Sequence, residues 1–273
     1  MMMFSWLHSH RKIVLLILIP LLTLAGYYWN EHRTVGLHQA VSPAYWLGRW
    51  RGEDLYNPQQ HFLMHGNRAL PEVALTIDDG PHSPMTGQML DILRSYRAPA
   101  TFFVVGENVK KQPELVRRIL AEGHEVGNHT QDHQRLDGLA LRNVANEIND
   151  CDINFSRATG QHLQLLRPPG VRYNDSVLAE AVKLGYITVS DTLGAEDYKL
   201  VSPDFIVRRV TNRTENGSII LLHDQYPETV EALPRIIATL QGEGYRFVTV
   251  SQMLAHLPKP VLAQNSAKAE KKP

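Results

Sequence analysis

The residues able to do chemistry gather in four stretches. In the first, Thr76-Ile77-Asp78-Asp79-Gly80-Pro81, two adjacent carboxylates directly follow the apolar run Val73-Ala74-Leu75. Carboxylates so close repel, and a nearby cation is the usual remedy. A metal on one would leave the other free to act as a base, although Asp-Gly-Pro is also an ordinary turn sequence. The second stretch is His129-Thr130-Gln131-Asp132-His133. Histidines four apart share one face of a helical turn, so both imidazoles can reach one cation. With Asp79 they make two imidazoles and a carboxylate, a set that leaves a coordination position open, as catalytic zinc sites and facial-triad iron sites do. The third and fourth stretches are Arg167-Pro168-Pro169-Gly170 and Leu221-Leu222-His223. Taken singly, these read as a Pro-rich turn with a surface arginine and a histidine satisfied near the core.

Something must bring these four places together. From Val73 onward, continuous apolar runs alternate with amphipathic ones. The runs 73–77, 100–105, 124–127, 165–167, 186–190, 218–222 and 245–250 read as strands. Between them, 87–96, 113–122, 139–159, 176–184, 203–212 and 228–241 read as helices, and Ser251 is placed as the cap of a last short one. Continuous apolar strands alternating with helices indicate a parallel sheet covered by helices. About seven such units suit a closed or nearly closed β/α barrel, whose chemistry sits in the loops after the strands. Each of the four stretches follows a predicted strand, so a barrel would gather them at one mouth. An open doubly wound sheet is the runner-up. No Gly-x-Gly-x-x-Gly follows the first strand, which argues against a dinucleotide fold.

Lys plus Arg and Asp plus Glu both number 28, so no basic footprint for nucleic acid is present. The single cysteine, Cys151, makes no internal disulfide and reads as a small, partly buried side chain. At the amino terminus Arg11 and Lys12 precede an apolar run over residues 13–29 that ends in Tyr27-Tyr28-Trp29. The run is long enough to span a bilayer, the aromatics suit its outer interface, and no small-x-small cleavage site follows. We read it as an uncleaved signal anchor, with residues 1–12 cytoplasmic and the remainder on the outer (periplasmic or extracellular) face. Residues 30–70 have no clear period and read as a juxtamembrane segment; 258–273 read as a flexible, weakly basic tail.

In their order and content the four stretches resemble the polysaccharide deacetylase family with the NodB homology domain, carbohydrate esterase family 4. The likeness covers about residues 71–257. It rests on Thr76-Ile77-Asp78-Asp79-Gly80-Pro81, His129-Thr130-x-x-His133, Arg167-Pro168-Pro169-Gly170 and Leu221-x-His223. The resemblance implies an α/β fold, a distorted (β/α)7 barrel, with one divalent metal: Zn2+ foremost, with Co2+, Ni2+ or Fe2+ as other fits. It implies that Asp79, His129 and His133 hold the metal, Asp78 is the general base, His223 the general acid, and Arg167 the charge partner that positions Asp78. Gly170 stands where the family often has Tyr and keeps the backbone N–H that holds an oxyanion. Leu221 belongs to the substrate-binding set. The family's Asp-Trp element, which orients the arginine, corresponds to Asp197-Tyr198, with Asp191 as competitor; Tyr198 would line the acetyl pocket.

The implied function is hydrolysis of N-acetyl groups on amino sugars of a cell-envelope polysaccharide such as peptidoglycan, a chitin-like polymer or poly-N-acetylglucosamine. The partners expected are that glycan and the membrane; neither nucleic acid nor a protein partner is inferred. Two other readings are a deacylase or deformylase acting on a lipid-linked sugar or a cyclic imide, and a non-catalytic glycan-binding module.

Overall fold

Ten strands and the helices between them occupy residues 54–258, the part of the chain that the computed structural model describes. In chain order they are β1 (Tyr56–Asn57), β2 (Phe62–Leu63), β3 (Glu72–Asp78), α1 (Met85–Tyr96), β4 (Thr101–Val104), α2 (Gly106–Lys111), α3 (Pro113–Ala121) and β5 (Glu125–Asn128). Then come α4 (Leu141–Thr159), β6 (Leu165–Leu166), α5 (Asp175–Lys183), β7 (Ile187–Val189), β8 (Leu193–Gly194), α6 (Pro203–Thr211), β9 (Ile219–His223), α7 (Pro227–Gly242), β10 (Arg246–Val248) and α8 (Val250–Ala255).

The sheet runs β1-β2-β7-β6-β5-β4-β3-β9-β8, and β10 pairs with β3. Apart from the β1–β2 hairpin every pairing is parallel. The expected (β/α)7 barrel is therefore realised as an α/β half-barrel with an open seam. β7 and β8 are consecutive in sequence yet lie far apart along the path. The physical reason for the gap is β2: Phe62 and Leu63 pair with Thr188 and Val189, filling the edge of β7 that a closing strand would need. The sheet thus recruits residues from the stretch 30–70, which has no readable period. Leu63 is fully buried there.

Alternation within the strands sorts core from site. On β3, Val73, Leu75 and Ile77 enter the main core under the helices, as do Phe102 and Val104 of β4, Leu166 of β6, and Ile220 and Leu222 of β9. Fully burying such a side chain is worth about 1.5–3 kcal/mol. Neighbouring residues face the concave side, where Ala74, Phe103, Leu165 and Ile219 form a second cluster. A period of two places Thr76 and Asp78, Arg167, and Leu221 and His223 on that same side. Register does the rest. Asp78 pairs with Phe103 and with His223, so the strands of the predicted base and acid end level with each other.

Local signals set the helix ends. Ser202 caps α6 by accepting from the Phe205 N–H, with Pro203 in the first turn. Gly160 closes α4 in the left-handed region, φ 75°. The last helix is capped by Thr249 in a capping box with Gln252, not by Ser251 as the sequence suggested, because only Thr249 has a Gln at the third helical position to reciprocate. Cys151 is fully buried rather than partly so, its thiol 3.4 Å from the Val104 carbonyl. Among the described residues no helix is long and apolar enough to cross a membrane; the run 13–29 lies outside them, as does the tail from 259.

Candidate active site

Asp78 is the last residue of β3, and Asp79 begins the turn with φ 74°, a left-handed conformation that costs a non-glycine residue about 1–3 kcal/mol. The twist sends the two adjacent carboxylates to different partners. Asp78 Oδ1 accepts from the Arg167 guanidinium at 2.8 Å, while Asp79 Oδ1 lies 3.1 Å from His133 Nε2 and 3.4 Å from His129 Nε2. The three metal-type ligand atoms of Asp79, His129 and His133 all lie within 4.8 Å of one another. Left-handed residues other than glycine recur at the cleft: His133, Val171 and Glu196 line it with Asp79.

The histidine pair converges, but not through a helical turn. After β5 the chain enters an irregular loop with Thr130 and His133 both at positive φ. Asn128 starts the turn by accepting from the Thr130 N–H, and the buried Glu147 accepts from the N–H groups of Gln131 and Asp132. The imidazole centroids end 5.0 Å apart. His129 Nδ1 donates to the Arg167 carbonyl at 2.7 Å, which fixes the tautomer and leaves Nε2 as a lone pair toward Asp79.

These residues fit a divalent cation. Asp79 Oδ1 is buried and receives no hydrogen bond, although two imidazole nitrogens are close by. An orphaned carboxylate oxygen facing two imidazole nitrogens, one of which is oriented as a lone pair, is an arrangement that a cation satisfies. Burial opposes ionisation of Asp79, yet His129 and His133 hold its carboxyl below the usual range. The adjacent Asp79 carboxylate in turn raises His133. The other Asp79 oxygen, Oδ2, accepts from Gln225 Nε2 at 3.0 Å.

Among the described residues Arg167 is the largest fully buried side chain, 0% exposed. Besides Asp78 it donates to Thr76 Oγ1 (2.7 Å), the Ser190 carbonyl (2.9 Å) and the Val189 carbonyl (3.4 Å), and its guanidinium stacks 4.2 Å over the Phe103 ring. Phe103 is itself held by Gly127, where an added Cβ would come within 2.5 Å of the ring. Neither candidate aspartate is a hydrogen-bond partner of this guanidinium. Asp197, expected to orient Arg167, instead serves His223: Oδ1 accepts from His223 Nδ1 at 2.8 Å, and Oδ2 from the His223 backbone N–H (2.8 Å) and Thr229 Oγ1 (2.9 Å). The reason is positional. Thr76, Asp78 and the carbonyls of Val189 and Ser190 already fill the arginine fork, and the short turn Asp197–Lys199 packs beside the end of β9. Asp191 lines the cleft, where burial pushes its carboxyl up.

The cleft has a volume of about 540 Å³. Its lining includes every predicted site residue except Arg167 and Asp197, which act from behind it: Asp78, Asp79, His129, His133, Gly170, Tyr198, Leu221 and His223. Tyr198 and Tyr226 stand edge-on to the His223 ring at 6.0 and 6.1 Å. Sequence reasoning named Asp191 only as an alternative partner of Arg167, and it missed Gln225 and Tyr226. The one signal for the latter two was that they directly follow His223, at the mouth end of β9.

The geometry has counterparts among known proteins. The sequence profile of the family described as polysaccharide deacetylase matches residues 65–189. A peptidoglycan-N-acetylglucosamine deacetylase of Bacillus cereus is 40% identical over 189 residues, which are 67% of this chain and 88% of that protein. The chain belongs to the polysaccharide deacetylase family. Among solved structures, the Bc1960 peptidoglycan N-acetylglucosamine deacetylase superposes with a TM-score of 0.69 at 33% identity, covering 78% of this chain and 96% of that one. A family 4 pseudoenzyme from Bacillus anthracis also reaches 0.69, at 26% identity over 72% of this chain and 69% of its own. Overall shape thus does not separate active from inactive relatives, and the side-chain constellation must do so. Deacetylases of this family use a divalent metal, and the Asp79-His129-His133 set is where this family member would hold one.

A pH prediction arises from the Asp197 pair. Burial disfavours the charged His223 imidazole, but the hydrogen bond and charge of Asp197, helped by Asp78 and Asp79, outweigh it and hold the pKa at about 9. The predicted role of His223 as general acid requires the protonated ring, so on that role activity is expected to fall as pH rises through about 9. Asp197→Asn should move this alkaline limb to lower pH. Profiles of kcat/KM against pH test it; an unmoved limb would remove Asp197 from control of the acid.

Proposed function

We propose that this chain is a metal-dependent hydrolase that removes N-acetyl groups from amino sugars of a cell-envelope polysaccharide. The observation carrying this reading is the unsatisfied Asp79 Oδ1 between His129 and His133, with Asp78 beside it and His223 on the neighbouring strand. When bound, a divalent ion polarises an amide carbonyl and acidifies water. We place Zn2+ first; two imidazoles and a carboxylate also suit Co2+, Ni2+ or Fe2+.

The side chains divide the remaining work. Arg167 occupies Asp78 Oδ1 and orients the carboxylate, leaving Oδ2, 3.7 Å from His129 Nε2, to take the proton of the attacking water. The Gly170 N–H stabilises the oxyanion; φ 64° at this residue suits glycine and lets the main chain meet the cleft without a side chain. Leu221 and Tyr198 wall the acetyl group, and Tyr198, 52% exposed, offers its ring to the sugar. His223 protonates the departing amine. The apolar run 13–29 would tether the catalytic domain to the outer face of the cytoplasmic membrane.

The test is acetate release from N-acetylglucosamine oligomers and from peptidoglycan. Release should stop on treatment with a chelator and return with Zn2+. Binding of the oligomers without acetate release would make the chain a glycan-binding module. Formate released from membrane extracts would favour a lipid-linked sugar instead.

A further inference from the structure

We propose that Asp224, the residue after the predicted acid, is a positioning residue for the metal-binding carboxylate of Asp79. The inference rests on the metal reading above. Asp224 is 0% exposed and is not part of the cleft lining, so it meets neither substrate nor solvent. A carboxylate in such a place needs partners. It has two, and both belong to the segment just after Asp79. Oδ1 accepts from His82 Nδ1 at 2.7 Å, and Oδ2 accepts from Thr86 Oγ1. The Cα of Gly80 packs against the same carboxylate so closely that any Cβ there would collide with Oδ2.

Around this anchor the turn is held at further points. Thr86 Oγ1 accepts from the His82 N–H, Asn108 Nδ2 donates to the Asp79 carbonyl at 2.8 Å, and the Val105 N–H donates to the Gly80 carbonyl at 2.9 Å. Such holding is needed, because Asp79 sits at φ 74° and would otherwise relax. Relaxation would carry Oδ1 away from the two imidazoles. Gln225 adds a grip on the carboxylate itself through Oδ2. The mouth end of β9 thus supplies three consecutive side chains to one site, with His223 handling the proton, Asp224 the turn and Gln225 the ligand.

The carboxylate is matched to two donors. An amide at 224 has one acceptor oxygen and no charge, so Asp224→Asn can accept from only one of the two donors and weakens the hold on the other. Outer partners of metal ligands typically change metal affinity about 10–100-fold when mutated. In the full-length chain, Asp224→Asn should therefore weaken Zn2+ binding by about 10–100-fold in competition with a chromophoric chelator. It should also alter the visible spectrum of the Co2+-loaded protein, a readout of ligand geometry that a merely structural role would not move. Thr86→Val, which keeps shape and removes one donor, should shift both in the same direction by less, and it decides the matter if Asp224→Asn does not fold. Folded variants with wild-type Zn2+ affinity and Co2+ spectrum would overturn the inference while leaving the metal reading intact. A wild-type chain that binds neither ion would overturn the metal reading itself, and the inference with it.

Discussion

Asp78→Asn is expected to yield a folded protein that still binds Zn2+ but turns over about 10²–10⁴-fold more slowly, the usual contribution of a positioned general base. Metal should remain because Asp78 is outside the three-ligand set, and the Asn oxygen can still accept from Arg167 Nη1 where Asp78 Oδ1 now does, at 2.8 Å. What disappears is the proton acceptor at Oδ2. The informative pattern is a collapse in kcat with KM and Zn2+ affinity close to wild type. His129→Ala makes the contrast, since it should lose metal and turnover together. Wild-type turnover by Asp78→Asn would remove this residue from the chemistry.

The largest stability effect should come from Arg167→Met. The substitution roughly conserves length and removes the cation, leaving Asp78, 2% exposed, without its counter-charge. Breaking a buried pair from one side costs about 3–5 kcal/mol, because the remaining charge is stranded. At about 2–4 °C per kcal/mol for a domain of this size, the thermal midpoint should fall by about 6–20 °C. Adding Asp78→Asn should restore part of the loss, because the stranded charge is then gone. A double-mutant cycle measures that coupling. Independent, additive losses would mean that the pair contributes nothing beyond its separate contacts.

Much of the site was legible because β-strands alternate and parallel strands end together. Residues 165–167 read as a strand running into the Arg167-Pro168-Pro169-Gly170 stretch, and the structure places Leu166 under the helices and Leu165 in the concave cluster. Other parts could not be read. The convergence of His129 and His133 was expected from helical spacing, yet it is achieved by a loop with left-handed residues fixed by Glu147, a partner on the following helix. Asp197 went to His223 rather than Arg167 because the arginine is already satisfied by Thr76, Asp78 and two backbone carbonyls, and such carbonyls are offered by every residue and displayed by no sequence. The strands at 56–57, 62–63 and 193–194 are two residues long, too short for any period to register. They are also what distinguishes the open seam from a closed barrel.

The bare backbone at Gly127 has a consequence for the chemistry, although residue 127 touches no reacting atom. Phe103 fills the space that a side chain there would claim, and the Arg167 guanidinium rests over the same ring. A single methyl at 127 would thus act as a wedge, passing its displacement through an aromatic plate to the cation that aims Asp78. A side chain at this strand position would therefore disturb the concave-side core and, through it, the orientation of Asp78.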